Sequence, residues 1–329
     1  MMRIPATDLE VFPLALGGNV FGWTVDEREA FEVLDAFAAA GGNLVDTSDV
    51  YWKFKPGNVG GESERIIGAW MRSRGTRERM IVSTKVGAFD GMRGGLTREK
   101  VHRYVDDSLG RLGVDRIDLL WAHTDDLDTP MEETLAAFDE VVRAGKARAL
   151  GASRHQPHRF EAALEIAARE GFARYVAMQP LYSLMERGHE LDLLPLAERS
   201  GVAVFPFYTL ASGFLTGKYR PGAEVDSVRA DGPVERARNP TAYLDARGLA
   251  TLAALDGIAA AHDTSVAAVA LAWLRAQPTV AAPIASARTV AQLEGLLPAA
   301  EIALSAAEVE RLAAVSHEED PPLTLGVEV

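Results

Sequence analysis

Short apolar runs, most of them closing on a polar side chain, alternate along this chain with longer stretches whose apolar residues recur every third or fourth position. Leu44 to Asp46, Met80 to Lys85, Ile117 to Trp121, Ala147 to Ser153, Tyr175 to Gln179 and Val202 to Phe205 read as buried strands. Between them, Phe31, Leu34, Phe37 and Ala38 share one helical face, as do Val101, Val105, Leu109 and Leu112, and then Leu135, Phe138 and Val142. Start and stop signals bracket these helices. Thr24-Val-Asp-Glu27 reads as a capping box with Gly41-Gly42 as the stop, and Thr97 reads as a cap. Thr129-Pro-Met-Glu132 reads as a second box with proline at the first helical position, and Gly145 ends that helix. Further helices are predicted over about 61–73, over 157–170 and up to Ser200.

The ends of the chain fit the same alternation. Leu9 to Leu16 predicts a hairpin leading into a first strand that stops at Gly17-Gly18. After the polar stretch Lys218 to Pro240, two Ala-rich helices, about Ala242 to Ala261 and Val266 to Ala276, precede a last strand, Thr279 to Ile284. Two helices and an irregular tail, Glu318 to Val329, finish the chain. Strands followed by helices, spaced by roughly 30 to 40 residues and eight in all, predict an α/β fold of the closed (β/α)8 TIM-barrel type. The expectation is one domain over residues 1–329, with an N-terminal β-hairpin and extra C-terminal helices. No G-x-G-x-x-G follows the first strand, which argues against a doubly wound dinucleotide fold.

Composition narrows the class of ligand. A net charge of -13 argues against nucleic acid or a membrane surface as partner, because polyanion binding runs on clustered Lys and Arg. Without cysteine there is neither a disulfide nor a thiolate nucleophile. No leader-like or membrane-length apolar stretch is read, so the expectation is a cytoplasmic protein acting on a small molecule, its oligomeric state open.

In a barrel the C-terminal strand ends converge on one mouth. Read in order, those ends carry Asp46, Lys85, His123, Ser153 and Gln179, with Tyr51 on the loop after the second strand. Each alone has an ordinary role as a cap, a snorkelling lysine or a core aromatic, but together they point to a site. The chemistry that needs a phenol, an amine, a carboxylate and an imidazole is proton transfer coupled to hydride transfer. A free tyrosine keeps its proton to about pH 10, so Lys85 is expected to draw Tyr51 down while Asp46 holds Lys85 charged. His123, held neutral, would hydrogen-bond the substrate oxygen.

These residues sit in passages that resemble the aldo-keto reductase family: Asn43-Leu-Val-Asp-Thr-Ser-Asp-Val-Tyr51, Ser83-Thr-Lys-Val-Gly87, Leu119-Leu-Trp-Ala-His123 and Gly151-Ala-Ser153. Met178-Gln-Pro-Leu-Tyr-Ser183, Ala211-Ser-Gly-Phe-Leu-Thr-Gly-Lys-Tyr219 and Pro283-Ile-Ala-Ser-Ala-Arg-Thr-Val-Ala-Gln292 continue the likeness in order to about residue 317. The resemblance implies reversible NAD(P)H-dependent reduction of an aldehyde or ketone, with NADP(H) extended across the mouth. It implies Asp46, Tyr51, Lys85 and His123 as the catalytic tetrad, with Tyr51 as acid or base. By the same likeness Ser153 and Gln179 hold the nicotinamide carboxamide, Tyr208 stacks on the ring, and Leu210, Ser212 and Lys218 line the pyrophosphate. Ser286, Arg288 and Gln292 hold the adenosine end, with Arg288 suited to a 2′-phosphate.

Three positions depart from the family pattern: Arg154 in place of an asparagine, Leu296 where asparagine often meets adenine, and Ala285 in a turn that usually bears glycine. Trp23, Trp52, Phe54, Phe89 and the tail after His317 are candidate walls of the substrate pocket, and Lys218 to Pro240 is a candidate lid. Two other readings stay open. One is an NADP(H)-sensing regulatory protein on the same barrel with little turnover. The other is a metal-dependent hydrolase using Asp46 and His123, which lacks a His-x-His or comparable ligand spacing.

Overall fold

The computed structural model describes residues 1–91, 93–225 and 239–317. Residues 226–238 and 318–329 lie outside the described residues, and with them most of the candidate lid and the candidate tail wall.

An antiparallel hairpin opens the chain, with β1 (Met2–Arg3) paired to β2 (Glu10–Val11). It begins well before the predicted Leu9. Parallel strands then alternate with helices: β3 (Ala15–Gly17), α1 (Glu27–Ala39), β4 (Leu44–Asp46), α2 (Glu62–Arg74), β5 (Ile81–Val86) and α3 (Arg98–Leu112). The series continues through β6 (Ile117–Ala122), α4 (Met131–Arg143), β7 (Ala147–Ser153), α5 (Pro157–Glu170), β8 (Tyr175–Gln179), α6 (Leu193–Ser200) and β9 (Ala203–Val204). After it come α7 (Ala246–Ala261), α8 (Val266–Arg275), β10 (Ile284–Ala285), α9 (Val290–Glu294) and α10 (Ala306–Val315).

The eight parallel strands β3 to β10 form one curled sheet in which β10 pairs with β3. A parallel bridge from Val204 to Val280 ties β9 to the segment that leads into β10. The last predicted strand, Thr279 to Ile284, is therefore divided: its start bonds to β9 and its end bonds to β3. This is a (β/α)8 barrel with an N-terminal hairpin.

Strand alternation sorts the side chains into two layers. Leu44, Ile81, Leu119 and Ala149 point inward and share a buried cluster with Ile4, Leu9 and Val11 of the hairpin, which closes the N-terminal end. Val45, Val82, Leu120 and Leu150 face outward into the larger core under the helices. Trp121 fills the barrel interior, and its neighbour on β7 has to be glycine. A Cβ on Gly151 would stand 2.3 Å from the indole ring. The additional helices α7, α8 and α10 build a separate buried cluster with Phe214, Leu215 and Tyr219.

Two helix starts differ from expectation. The capping box of α1 is Asp26 with Glu29, two residues later than Thr24 with Glu27. At α4 the cap position is Pro130 itself, and the Thr129 hydroxyl donates instead to Asp126 Oδ2 at 2.7 Å. In both places a nearby carboxylate is the stronger partner, because it accepts from several donors at once.

Candidate active site

The strand ends set the site. Asp46 ends β4 and Lys85 lies one position before the end of β5, so adjacent parallel strands bring their side chains together inside the barrel mouth. Both are buried, at 2 % and 1 % exposure. Lys85 Nζ donates to Asp46 Oδ2, to the Thr47 carbonyl at 2.9 Å and to Tyr51 Oη at 2.8 Å. The other oxygen of Asp46 accepts from Ser83 Oγ at 2.9 Å and from Gln179 Nε2 at 3.2 Å. Ser83 in turn accepts from Trp121 Nε1 at 2.6 Å. His123 follows β6, with its ring centroid 6.1 Å from that of Tyr51 and Nδ1 3.0 Å from Ser48 Oγ.

Electrostatics follow from this enclosure. Burial works against the Lys85 ammonium, but the Asp46 and Tyr51 charges outweigh it, so Lys85 holds its proton above the ordinary range. Burial, with the Arg154 and Lys85 charges, drives His123 well below its ordinary value, so the ring is neutral. Tyr51 departs from expectation. Burial pushes the phenol up and Asp46 adds to it, while Lys85 and Arg154 pull the other way without winning. The pull of Lys85 has the expected sign, but the net shift is upward because enclosure is the larger effect.

The adenosine and pyrophosphate candidates line a second region. Arg288 has no ion pair among the described residues, and its backbone N–H donates to Gln292 Oε1 at 2.9 Å. Ser286 Oγ donates to Asn19 Oδ1 at 2.6 Å. Lys218 is exposed, with Nζ 4.9 Å over the Tyr219 ring. Tyr208, Ala211, Ser212 and Gly213 all have positive φ, from 48° to 95°, and Leu210 lies among them. Within this turn the Ala211 N–H donates to the Tyr208 carbonyl at 2.9 Å and the Gly213 N–H to the Leu210 carbonyl at 2.8 Å. Tyr208 Oη and Ser212 Oγ share a 2.5 Å hydrogen bond across this turn. Ser153 Oγ donates to the Gln179 carbonyl at 3.0 Å, so the two carboxamide candidates touch.

Residues 13–317 match the profile of the Aldo/keto reductase family. The chain belongs to that family. It is 34% identical to the uncharacterized oxidoreductase YrpG of Bacillus subtilis over 91% of this chain and 90% of that protein. It is 31% identical to protein tas of Escherichia coli, with 92% and 93% covered. A third relative is the norsolorinic acid reductase stcV of Emericella nidulans, 30% identical, with 93% and 78% covered. Family membership makes the chain an oxidoreductase of the carbonyl-reducing kind.

In this aldo/keto reductase the substrate-pocket candidates divide. Trp23 and Trp52 stack face to face, with centroids 3.5 Å apart. Trp52 holds a left-handed φ of 55°, an uncommon state for a bulky residue beside Tyr51. Phe89 lies under Lys53 Nζ at 3.7 Å and against Tyr104, while Phe54 stands in solvent at 86 % exposure. Among the departures, Leu296 is buried in the outer core. Arg154 holds φ 57°, with its guanidinium 5.4 Å from the Phe207 ring and its Nε buried without a hydrogen bond. Among the described residues no group of three His, Asp or Glu gathers as a metal site.

Sequence reading missed a third group. Asp49 is fully buried beneath the mouth, and Glu64 on α2 is buried beside it, paired to Arg111 of α3 at 2.5 Å. Glu64 also accepts from Thr84 Oγ1 at 2.6 Å. In the sequence Ser48-Asp49 follows Asp46-Thr47 and Ser63-Glu64 lies between Glu62 and Arg65, so neither pair stands out from its polar neighbours.

Proposed function

We propose that this chain reduces an aldehyde or ketone to the alcohol, reversibly and with NADP(H), Tyr51 giving its proton to the carbonyl oxygen. The observation that supports this best is the Tyr51 hydroxyl accepting from Lys85 at 2.8 Å while Asp46 holds the same ammonium. Tyr51 Oη thus accepts on one side and keeps its own proton for a substrate on the other. As that proton leaves, the adjacent ammonium stabilises the phenolate in a buried site where opposite charges interact strongly. His123, neutral and tied back through Nδ1, would use its other nitrogen to hydrogen-bond the same oxygen.

The nicotinamide dinucleotide, when bound, supplies the hydride. The residues present fit such a group. Lys218 and Arg288 carry charges with no ion pair among the described residues, which suits the phosphates of such a group. Arg288 is the natural partner of a 2′-phosphate, and Ser286 and Gln292 flank it. Ser153 Oγ donates to the Gln179 main-chain carbonyl, which sets the two side by side where they would hold the carboxamide. The small molecule is a carbonyl compound, and the stacked Trp23 and Trp52 offer it a flat apolar wall.

Tyr51→Phe tests this directly. Turnover should fall by about 10²- to 10⁴-fold, while the affinity for NADPH, read by fluorescence titration, stays nearly unchanged. A variant that keeps most of its turnover would remove Tyr51 from the chemistry. A second reading, a cofactor sensor with little turnover, draws on Arg154 standing beside the carboxamide candidates. NADPH oxidation with a panel of reactive aldehydes separates the two, because the sensor binds cofactor and does not turn over.

A further inference from the structure

We propose that Asp49, acting through Ser48 as a positioning pair, fixes the tautomer of His123 so that Nε2–H faces the substrate oxygen. This rests on the carbonyl-reducing reading above and adds to it the residues that set the direction of one hydrogen bond.

The geometry is a short buried chain. Ser48 Oγ lies 3.2 Å from Asp49 Oδ1 and 3.0 Å from His123 Nδ1, and it accepts from the Val50 backbone N–H at 3.3 Å. Ser48 has one proton to give, so if it donates to Asp49 it must accept from His123 Nδ1–H, and if it donates to Nδ1 the proton between Ser48 and Asp49 must come from Asp49. If Asp49 is ionised, Ser48 donates to the carboxylate and accepts from Nδ1–H of His123. Nε2 is then a bare acceptor, and the imidazole cannot donate to a carbonyl oxygen. If Asp49 is a neutral acid with its proton on Oδ1, that hydroxyl donates to Ser48, Ser48 donates to Nδ1, and the ring proton is left on Nε2; a proton on Oδ2 would instead leave a buried hydroxyl with no acceptor. Reduction needs the second arrangement, because negative charge develops on the carbonyl oxygen.

The surroundings of Asp49 favour the neutral acid. It is 0 % exposed, and its Oδ2 has no hydrogen-bond partner. A buried carboxylate with an empty oxygen is costly, whereas a carboxylic acid with a free carbonyl oxygen is far less so. From α2, Glu64 adds a second buried negative charge, and Arg111 from α3 is committed to Glu64 at 2.5 Å. On the same loop Lys53 turns away, its Nζ donating to the Phe89 carbonyl at 2.7 Å. Lys85 on β5 offers Asp49 only a backbone carbonyl, while its ammonium serves Asp46 and Tyr51. His123, after β6, is uncharged. Burial first, and then Glu64, push the Asp49 carboxyl well above its ordinary range, against the weaker pull of the Arg111 and Lys53 charges.

Two readouts on the full chain test this without turnover. The infrared difference between wild type and Asp49→Asn at neutral pH should contain the carbonyl stretch of a protonated carboxylic acid. Should Asp49→Asn fail to fold, 13C-aspartate labelling of the wild type identifies the same band. Long-range 1H–15N correlation on histidine-labelled protein, assigned with His123→Asn, should show the proton on Nε2 of His123. Absence of the acid band, or a proton on Nδ1, overturns the proposal. Ser48→Ala should lower kcat by about tenfold, since it frees the tautomer without deleting the ring, and should leave NADPH affinity unchanged. An unchanged kcat would likewise overturn it. If no carbonyl compound is turned over while both spectroscopic results hold, the reductase reading fails and the buried relay stands.

Discussion

Lys85 and Arg154 both bring positive charge to bear on the Tyr51 hydroxyl, and the barrel houses them in opposite ways. The Lys85 ammonium has three acceptors, namely the Asp46 carboxylate, the Thr47 carbonyl and Tyr51. Arg154 has no ion pair among the described residues, its Nε is buried without a partner, and its backbone is held left-handed. Burial lowers the hold of Arg154 on its proton, while the neighbours of Lys85 raise that of the ammonium. A charge that is satisfied on every side is complete before any ligand arrives. One left open is completed by what binds. On the proposed function Lys85 serves the proton transfer itself, and an anionic group on the substrate would complete the Arg154 charge.

The comparison breaks most visibly at Lys85. Lys85→Met leaves the Asp46 carboxylate buried without its counter-charge, a change that costs about 3–5 kcal/mol in comparable buried pairs. Turnover should fall by about 10²- to 10⁴-fold, because Tyr51 loses the charge that stabilises its phenolate. Urea unfolding and NADPH oxidation measure the two losses, and wild-type turnover in this variant would refute the role given to Lys85.

Arg154→Asn should behave in the opposite sense for stability. Asparagine tolerates a left-handed backbone better than arginine, and the substitution removes a buried donor without a partner. A gain of about 1 kcal/mol in unfolding free energy is expected. The ratio of kcat/KM for a 2-oxo acid over a neutral ketone of the same shape should fall about tenfold, or ~1.4 kcal/mol. Equal losses for both substrates would assign Arg154 to the cofactor or to the fold.

The contrast also marks what the sequence could and could not disclose. Leu44–Asp46, Ala147–Ser153 and Tyr175–Gln179 are strands over the residues expected, because a polar side chain closing an apolar run marks both the strand end and the mouth. Helix starts were less legible where several polar residues offer the same three-residue spacing, as with Thr24 against Asp26. The Asp49, Ser48 and His123 chain was not legible at all. Its meaning depends on an imidazole 75 positions from Ser48 and on Glu64 and Arg111 from two different helices. The net direction of Tyr51 was hidden for the same reason, since enclosure is a property of the closed barrel. Arg154 was visible as an unusual residue, but only coordinates reveal that no carboxylate among the described residues pairs with it and that its Nε is buried without a hydrogen bond.

The smallest expected effect sharpens the comparison through His123. Burial first, then the Arg154 and Lys85 charges, keep this imidazole neutral in the folded chain well below the ordinary titration range. The unfolded chain takes up its proton near pH 6.5, so below that value the unfolded state binds more protons. Stability therefore rises with pH in this window and is lost as pH falls from about 6.5 toward the depressed folded value, at no more than ~1.4 kcal/mol per unit for one proton. His155, buried with its Nδ1 2.9 Å from the Ser153 carbonyl and also shifted down by burial, adds a loss of the same sign. Arg154→Asn removes one of the two charges acting on His123, raises its folded value and shortens the window. The acid-side loss should shrink by a fraction of that slope, with the His155 contribution untouched. Urea unfolding of both proteins from pH 7.5 down to about pH 5 measures the difference. Parallel curves would mean that the Arg154 charge does not reach His123, and the two cations would then no longer be acting on one site.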